Sequence, residues 1–493
     1  MSTYCVCNKY RLYKSQFKIY YLYLFHIIII MGEKEIKAPI VEGLVNAYKK
    51  RSYHFHIPGH TRGKGVYKPF KDFMGEKFFQ CDMTDEFDGI GTLNPPTGPI
   101  KEAEELCAEL FGAQKSLFLL NGSTVGNIAI AMALSLQGKK IIVNRNCHRS
   151  VLTGMIVSGA EPLWVIPNKL EDWSLWGKIN PDDIEKLLKT HNDVEMVWLT
   201  NPTYEGVVSD IKSISSICKR YNVPLVVDEA HGTLWKFNNE FPTPSLDLGA
   251  DIVVQSFHKT GGSMSQTSVL HISKDTRFDV EALVHSLRLL QTTSPSIILL
   301  AGLDAARAQL ETDDGLMNIQ IAIDNAKYLS SEIDNLNHIK QLKQMPCDPT
   351  KIFIKADNLS GVQLETILEQ DYNIEVEAAS DRGILMLSNI GNERSDFEYL
   401  VNCLKEIDRQ DYTRFEKEKK KHMPMLIPEI KMNLRKAFYS NKEEVKKEDA
   451  IGRISAEVIA ECPPGIAILL PGELITDAHL PYLEDYNVLE VVK

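Results

Sequence analysis

The stretch "ADIVVQSFHKT", residues 250–260, joins an apolar run typical of a buried β-strand to a lysine, Lys259, at the end of that run. A lysine is costly to bury unless its charge is paired or its amine is covalently occupied. The stretch therefore predicts a strand whose end carries an amine with a specific partner, and that partner has to come from elsewhere in the chain.

Apolar runs of the same kind alternate with helical patterns from about residue 115 onwards. The strand-like runs are "SLFLL" (116–120), "KIIV" (140–143), "PLWVI" (162–166), "EMVWLT" (195–200), "PLVVDEA" (224–230) and "ADIVVQS" (250–256). Helical spacing at 124–136, 181–190 and 211–221 separates several of these runs. Continuous Val/Ile runs alternating with helices predict an α/β fold with a parallel sheet covered on both faces. Ligands bind beyond the carboxyl ends of strands in such sheets, where Asp228, Ser256 and Lys259 are expected.

The overall composition is that of a globular protein with more than one domain. The chain has 493 residues, of which 44% are hydrophobic and 25% charged. A formal net charge of −11 argues against a nucleic-acid-binding protein. The nine cysteines are scattered and form no CxxC pair, so neither a disulfide framework nor a zinc site is expected. Reduced thiols fit a cytoplasmic protein.

The N-terminus carries an apolar run at 17–31, preceded by basic residues. This pattern resembles a signal peptide or anchor, but the run is short for a membrane-spanning helix. The alternative interpretation is that translation starts at Met31 and that the first residues are an upstream extension. No other segment is apolar enough to span a bilayer, and we expect no membrane partner.

Asp228 follows the apolar run 224–227 directly and is the first candidate partner for Lys259. A buried carboxylate needs a cationic partner, so one interpretation is a structural Asp228–Lys259 salt bridge. The alternative is that a cofactor lies between them. Pyridoxal phosphate fits, because Lys259 can form a Schiff base with its aldehyde while Asp228 keeps the pyridine nitrogen protonated. The small-residue turn "NGSTVGN" (121–127) opens a predicted helix, where Ser123 and Thr124 could hold the phosphate.

Several motifs in fixed order carry a family resemblance. They are "FHIPGH" (55–60), "NGST" (121–124), Asn-Cys-His (146–148), Asn-Pro-Thr-Tyr (201–204), "DEAHG" (228–232), "HKTGGSMSQTS" (258–268), "LLQTTSPS" (289–296), "GRISAE" (452–457) and "PPGIAILLPGE" (463–473). Together they resemble the fold-type I, pyridoxal-phosphate-dependent enzymes of the aspartate aminotransferase superfamily. More narrowly, they resemble the short bacterial Orn/Lys/Arg decarboxylases over roughly residues 38–475.

The resemblance implies a mostly parallel, seven-stranded sheet between helices, followed by a smaller α+β domain and a C-terminal domain. The predicted divisions are an N-terminal extension (1–31), an N-terminal arm (32–80), a large cofactor-binding domain (81–310), a small α+β domain (311–425) and a C-terminal decarboxylase-type domain (426–493). A homodimer or higher homo-oligomer with shared active sites is also implied.

The same resemblance implies roles for individual residues. Lys259 is the expected Schiff-base lysine, Asp228 the partner of the pyridine nitrogen, and His148 and Ala230 the contacts to the two ring faces. The remaining expected cofactor contacts are Ser123, Thr124, Ser256 and His258 at the phosphate, His231 near the ring oxygen, and Thr292, Thr293 and Ser294 reaching a neighbouring subunit's phosphate. His56, His60 and Glu473 are candidates for the substrate entrance, where Glu473 could pair with a cationic side-chain end. No metal ligand is expected.

The expected reaction is decarboxylation of a basic L-amino acid to its amine, with arginine giving agmatine for polyamine synthesis as the first choice. Lysine and ornithine are the alternatives, since Cys462 replaces a tyrosine common in the family and the segment 87–100 matches only loosely. An aminotransferase of the same fold, with Arg382 as the carboxylate partner, and an inactive regulatory homologue are the further alternatives.

Overall fold

The computed structural model describes residues 36–50, 53–87, 89–135, 138–410, 427–461 and 466–493. The expected N-terminal extension with its apolar run, and Cys462, lie outside these residues. The chain divides after Lys37, and every element described below belongs to the unit Ala38–Lys493. None of the helices in the described part of the chain has the length and apolar character needed to cross a membrane.

The strands account for most of the core-forming segments. In chain order they are β1 Lys115–Leu119, β2 Lys140–Asn144, β3 Glu161–Val165, β4 Lys169–Leu170, β5 Leu175–Trp176, β6 Val194–Thr200, β7 Leu225–Asp228, β8 Ile252–Gln255, β9 Ser268–Ile272, β10 Ile339–Gln341, β11 Lys351–Ala356, β12 Ala378–Ser380, β13 Gly383–Leu387, β14 Lys442–Lys446, β15 Ile459–Glu461, β16 Ile466–Leu469 and β17 Val488–Val492.

The helices lie between and around these strands. They are α1 Pro39–Lys49, α2 Lys68–Met74, α3 Glu76–Cys81, α4 Gly98–Phe111, α5 Gly122–Leu134, α6 Arg149–Ser158, α7 Pro181–Thr190, α8 Ile211–Tyr221, α9 Phe257–Thr260, α10 Val280–Leu290, α11 Ile297–Gln309, α12 Asp313–Ile333, α13 Gly361–Tyr372, α14 Arg394–Arg409 and α15 Leu434–Phe438.

A seven-stranded sheet in the order β1-β9-β8-β7-β6-β2-β3 forms the centre of the molecule. β9 pairs antiparallel with both of its neighbours, whereas the pairs from β8 to β3 are all parallel. Ile252, Val253 and Val254 of β8 are at most 1% exposed, so both faces of this inner strand are covered. Burying each such side chain contributes about 1.5–3 kcal/mol, which explains why continuous apolar runs mark these strands.

Two glycines allow the helices on one face to pack closely. A Cβ on Gly126 of α5 would lie 2.8 Å from the Leu119 side chain of β1. A Cβ on Gly154 of α6 would lie 2.8 Å from the Ala131 side chain of α5. These contacts are shorter than carbon atoms tolerate, so glycine lets α5 lie directly on the sheet and α6 directly on α5. The N-terminus of α5 is thereby placed against the carboxyl end of the sheet.

Smaller sheets follow the large one. β10, β11, β13 and β12 form an antiparallel sheet whose apolar core includes Leu329, Ile354 and Leu404. β14 pairs with β17 and β15 pairs with β16 near the C-terminus. The mostly parallel seven-stranded sheet confirms the predicted fold class. β9 was not among the predicted strands. The structure does not divide Ala38–Lys493 into smaller units, so the predicted boundaries at residues 80, 310 and 425 stay predictions.

Candidate active site

A cavity of about 790 Å³ lies at the carboxyl ends of the central strands. It receives side chains from the end of β7, from the segment after β8 and from the start of α5. Its lining includes Ser123, Thr124, His148, Trp176, Tyr204, Glu205, Asp228, Ala230, His231, Ser256, His258, Lys259, Gln266, Glu377 and Ile466. The edge of the sheet thus brings together residues that are distant along the chain.

Lys259 lies in the short helix α9, whose N-cap residue, Ser256, directly follows β8. Its Nζ is 3.0 Å from Nε2 of His231. Burial lowers the pKa of Lys259, while the charges of Asp228 and Glu377 oppose this shift. Burial also lowers the pKa of His231 well below its usual value, with the charges of Lys351 and Lys259 adding to the effect. The amine therefore loses its proton more readily than that of an exposed lysine.

Asp228 ends β7 and is 3% exposed. Its Oδ2 accepts a hydrogen bond from Nδ2 of Asn127 at 3.0 Å, and its Oδ1 accepts one from the backbone N of Ala230 at 3.2 Å. The direct salt bridge between Asp228 and Lys259 is not formed, because the lysine contacts His231 instead. A buried carboxylate with neutral donors on both oxygens still lacks a full counter-charge.

His148 is the N-cap residue of α6, and a chain of hydrogen bonds connects it to Asp228. Its Nδ1 lies 2.8 Å from Oγ of Ser150. That hydroxyl accepts a hydrogen bond from Nδ2 of Asn127 at 2.8 Å, which links the imidazole to Asp228. Burial lowers the pKa of His148, and the charge of Asp228 opposes the shift. The network holds the imidazole in one orientation over the cavity.

Three serine hydroxyls converge near the start of α5. Oγ of Ser123 lies 2.7 Å from Oγ of Ser256 and donates to Oγ of Ser268 at 3.2 Å. α5 is 13 residues long, and no side chain caps its first turn. Hydroxyls grouped at a helix N-terminus are suited to an anion such as a phosphate. Nδ1 of His258 lies 2.8 Å from the backbone O of Thr267, which orients its ring at the same edge.

Other predicted site residues do not line this cavity. Thr292 and Thr293 are exposed in the loop after α10, and their expected contact with a neighbouring subunit stays a prediction. His56 is exposed and lies 2.8 Å from the ring of His54, while Nε2 of His60 lies 3.1 Å from Asp82. Their role at a substrate entrance also stays a prediction.

Glu473 has a different environment from the one expected at a substrate entrance. It is 0% exposed, and its two oxygens accept hydrogen bonds from the terminal nitrogens of Arg145 at 2.6 and 3.0 Å. The backbone N of Leu470 donates to it at 2.8 Å. Burial raises the pKa of Glu473, and the Arg145 guanidinium opposes this rise. The structure therefore places this carboxylate in a buried ion pair with Arg145, and Glu473 does not line the cavity around Lys259. This pair was missed from the sequence because the two residues are 328 positions apart.

Two residues that line the cavity, Tyr204 and Glu377, were given no role from the sequence. The hydroxyl of Tyr204 donates to Oε1 of Glu377 at 2.8 Å. Lys351 is buried behind Tyr204 and donates to its backbone O at 2.7 Å. Tyr204 stood inside the recognised Asn-Pro-Thr-Tyr stretch, which was the available signal. Glu377 lies 173 residues further along the chain, where nothing in the sequence marks it.

The chemistry of these donors fits pyridoxal phosphate. Lys259 offers an amine for its aldehyde, and Asp228 offers a carboxylate that forms no salt bridge with any described residue. The serine cluster and the N-terminus of α5 offer a phosphate site. Nδ1 of His231 is buried without a hydrogen-bond partner in the described part of the chain, which leaves a polar atom of this site unsatisfied. No cluster of three or more His, Cys, Asp or Glu suited to a metal ion occurs among the described residues.

Comparison with known proteins gives consistent matches. Residues 38–352 match the family "Orn/Lys/Arg decarboxylase, major domain", and residues 414–491 match "Orn/Lys/Arg decarboxylase, C-terminal domain". An arginine decarboxylase of Bacillus subtilis is 35% identical over 91% of this chain and 93% of the relative. The constitutive lysine decarboxylase of Escherichia coli is 25% identical over 90% of this chain and 76% of that protein.

Solved structures support the fold. The lysine decarboxylase LdcF of Francisella novicida superimposes with a TM-score of 0.80 over 95% of this chain and 83% of that one, at 21% identity. A likeness at this identity establishes the architecture, while the family matches and the more similar relatives bear on the chemistry.

Proposed function

Because the chain belongs to the Orn/Lys/Arg decarboxylase family, we propose that it decarboxylates L-arginine to agmatine with pyridoxal phosphate bound in the cavity beside Lys259. Decarboxylation of a basic amino acid is the activity of the family, whose members depend on pyridoxal phosphate. The choice of arginine rests on one observation. Over the aligned residues, the Bacillus arginine decarboxylase is 35% identical to this chain, against 25% for the Escherichia lysine decarboxylase.

The cofactor would be held by groups already placed around the cavity. Lys259 would carry it covalently, Asp228 would pair with the protonated ring nitrogen, and His148 and Ala230 would contact the ring faces. Its phosphate would lie at the hydroxyls of Ser123, Thr124 and Ser256, with His258 alongside. When bound, pyridoxal phosphate supplies an electron sink for the bond that is broken at the substrate α-carbon.

The residues of the chain perform the proton handling and the positioning. Nζ of Lys259 lies 3.0 Å from Nε2 of His231, so the imidazole, which burial keeps neutral, can accept a hydrogen bond from the amine and hold that proton at Nζ. Asn127 holds Oδ2 of Asp228 at 3.0 Å and Oγ of Ser150 at 2.8 Å, which fixes the carboxylate. Orientation of the α-carboxylate selects decarboxylation over other reactions of the same fold.

The position of Arg382 disfavours the aminotransferase alternative. Arg382 is 7% exposed and lines a small pocket with Glu205 and Tyr204, not the large cavity around Lys259. An arginine that receives an α-carboxylate has to reach the cavity that holds the reacting centre. Retention of Lys259, Asp228 and His148 in that cavity likewise disfavours an inactive homologue.

The substrate is tested by incubating the purified, cofactor-loaded protein separately with L-arginine, L-lysine and L-ornithine, without any keto acid. We expect L-arginine to have the highest kcat/KM of the three substrates and to give carbon dioxide and agmatine. Cadaverine or putrescine as the preferred product would overturn the arginine assignment, and absence of all three amines would overturn decarboxylation by this chain.

Lys259→Ala tests the covalent anchor. We expect the variant to lose amine production and the visible absorbance of the bound cofactor, and borohydride should fix the cofactor only on the wild-type peptide that contains Lys259. Lys274→Ala, which changes an exposed lysine just after β9, is the matched control and should behave as wild type. Cofactor fixed on another peptide would refute the assignment.

A further inference from the structure

Three side chains with carboxylates occur among the described residues that line the cavity: Asp228, Glu205 and Glu377. A substrate with a cationic side-chain end needs an anion at the distance that its side chain reaches, and burial of that cation without one is costly. The proposed function assigns Asp228 to the cofactor. The question is which of the other two carboxylates the substrate can use.

Glu205 is poorly suited to this task. It is 6% exposed and also lines the small pocket that contains Arg382. Burial raises the pKa of Glu205, and the charge of Arg382 opposes the rise. The Glu205 carboxyl group is therefore largely buried between the cavity and the small pocket, and its charge is partly balanced by Arg382, so it offers a substrate cation less than an open carboxylate would.

Glu377 has the opposite properties. It is exposed to the cavity and lies directly before β12, and its backbone N donates to the O of Leu385 in β13 at 3.0 Å. Its Oε1 accepts the hydroxyl of Tyr204 at 2.8 Å. Among the described residues, Oε2 has no hydrogen-bond partner, so one oxygen is anchored and the other remains available to a ligand.

Tyr204, which anchors Glu377, is itself held in place. Nζ of Lys351 donates to the backbone O of Tyr204 at 2.7 Å and lies 5.3 Å from the centre of its ring. The ring of Tyr204 meets the imidazole of His231 edge to face, with 5.5 Å between the centres. His231 in turn contacts Nζ of Lys259. One wall of the cavity is therefore formed, in this order, by Lys259, His231, Tyr204 and Glu377.

This wall would present an aromatic ring and then a carboxylate to a long basic amino acid. With the α-amino group at Lys259, the side chain can extend along the Tyr204 ring, and its cationic end then meets Glu377. Aromatic rings favour alkyl stems and cationic groups that lie against them. The charge of Glu377 also acts on Lys259 and His258, so the carboxylate is within electrostatic range of the reacting centre.

Building on the proposed function, we propose that Glu377, anchored by Tyr204, receives the cationic end of the substrate side chain and thereby selects basic amino acids. It takes the role that the sequence suggested for Glu473, which the structure pairs with Arg145 instead. A planar guanidinium can form charge-assisted hydrogen bonds with the open oxygen of Glu377.

The test is Glu377→Gln in the cofactor-loaded enzyme, with Glu375→Gln as the matched control. Glu375 is exposed in the same segment and does not line the cavity. We expect the KM for the preferred substrate to rise about 10- to 100-fold in E377Q, with kcat changed far less. The visible absorbance of the bound cofactor should be retained, and E375Q should match wild type.

A neutral analogue separates recognition of charge from general damage. L-Citrulline has the shape of arginine without the positive charge, so its inhibition constant should be nearly the same for wild type and E377Q. An unchanged KM for the preferred substrate would overturn the proposal. An equal rise in the KM for arginine and in the inhibition constant of citrulline would also overturn it. Glu377 would then maintain the shape of the cavity and would not recognise the positive charge of the substrate.

The two proposals can fail separately. If wild-type enzyme forms no amine from any of the three basic amino acids, the proposed function fails before Glu377 is examined. If wild type prefers lysine or ornithine, arginine specificity fails, and a raised KM of E377Q for that other cation still supports the role of Glu377.

Discussion

Replacement of Glu473 by alanine would show whether this carboxylate supports the fold or the substrate. Glu473 and Arg145 are 0% and 1% exposed, and three hydrogen bonds at 2.6, 3.0 and 2.8 Å hold the carboxylate to Arg145 and Leu470. Without it, the contacts of the guanidinium among the described residues are the backbone O of Ile468 at 3.3 Å and the face of Trp164 at 4.7 Å. A buried charge that loses its counter-ion costs about 3–5 kcal/mol.

The expected change in melting temperature follows from the size of the unit Ala38–Lys493. Unfolding entropy amounts to about 2.1 cal/mol/K per residue, so in a unit of this size 1 kcal/mol corresponds to about 1 °C. We therefore expect the melting temperature of E473A to fall by about 3–5 °C. The KM of the folded enzyme should not change, because Glu473 does not line the cavity.

The assay combines thermal unfolding, followed by circular dichroism on the cofactor-loaded enzyme, with steady-state kinetics at 25 °C. Glu429→Ala is the control, because Glu429 is exposed, and its loss should change stability by no more than about 0.5 kcal/mol. The double variant Arg145→Met/Glu473→Leu should recover most of the stability, since no buried charge remains. A wild-type melting temperature combined with a raised KM in E473A would refute this reasoning.

Two further predictions follow from groups outside the cavity. Burial raises the pKa of Glu104 from 4.5 to about 8, so between these pH values the native state holds a proton that the unfolded state has released. Stability should therefore fall as pH rises through this window, by up to about 1.4 kcal/mol per pH unit. Glu104→Gln keeps an acceptor for the backbone N of Phe118 and should flatten that slope in urea titrations, whereas parallel slopes would contradict the assignment. If the exposed Thr292 and Thr293 complete a neighbouring subunit's site, mixing inactive Lys259→Ala protomers with Thr292→Ala/Thr293→Ala protomers should restore activity. No gain over the separate variants would argue against shared sites.

The fold was predictable because its central strands are buried on both faces. Runs such as 252–254 have to be continuously apolar in such a sheet, and the ends of β7 and β8 were therefore located from the sequence. β9 was missed because its place depends on antiparallel pairing with β1 and β8, which a short run does not specify. The polar network through Asn127 and Ser150 was missed for a similar reason, since its members become neighbours only when α5 packs against the sheet.

From the sequence follow the parallel strands of the sheet, the positions of Lys259 and Asp228 at strand ends, and the decarboxylase family to which the chain belongs. Strand burial and short motifs express these features locally, within a few residues. Long-range packing, in contrast, is what brings Glu377 to the cavity and buries Glu473 away from it. Glu473 meets Arg145 across 328 residues and Glu377 meets Tyr204 across 173, and no local pattern encodes contacts between side chains so far apart.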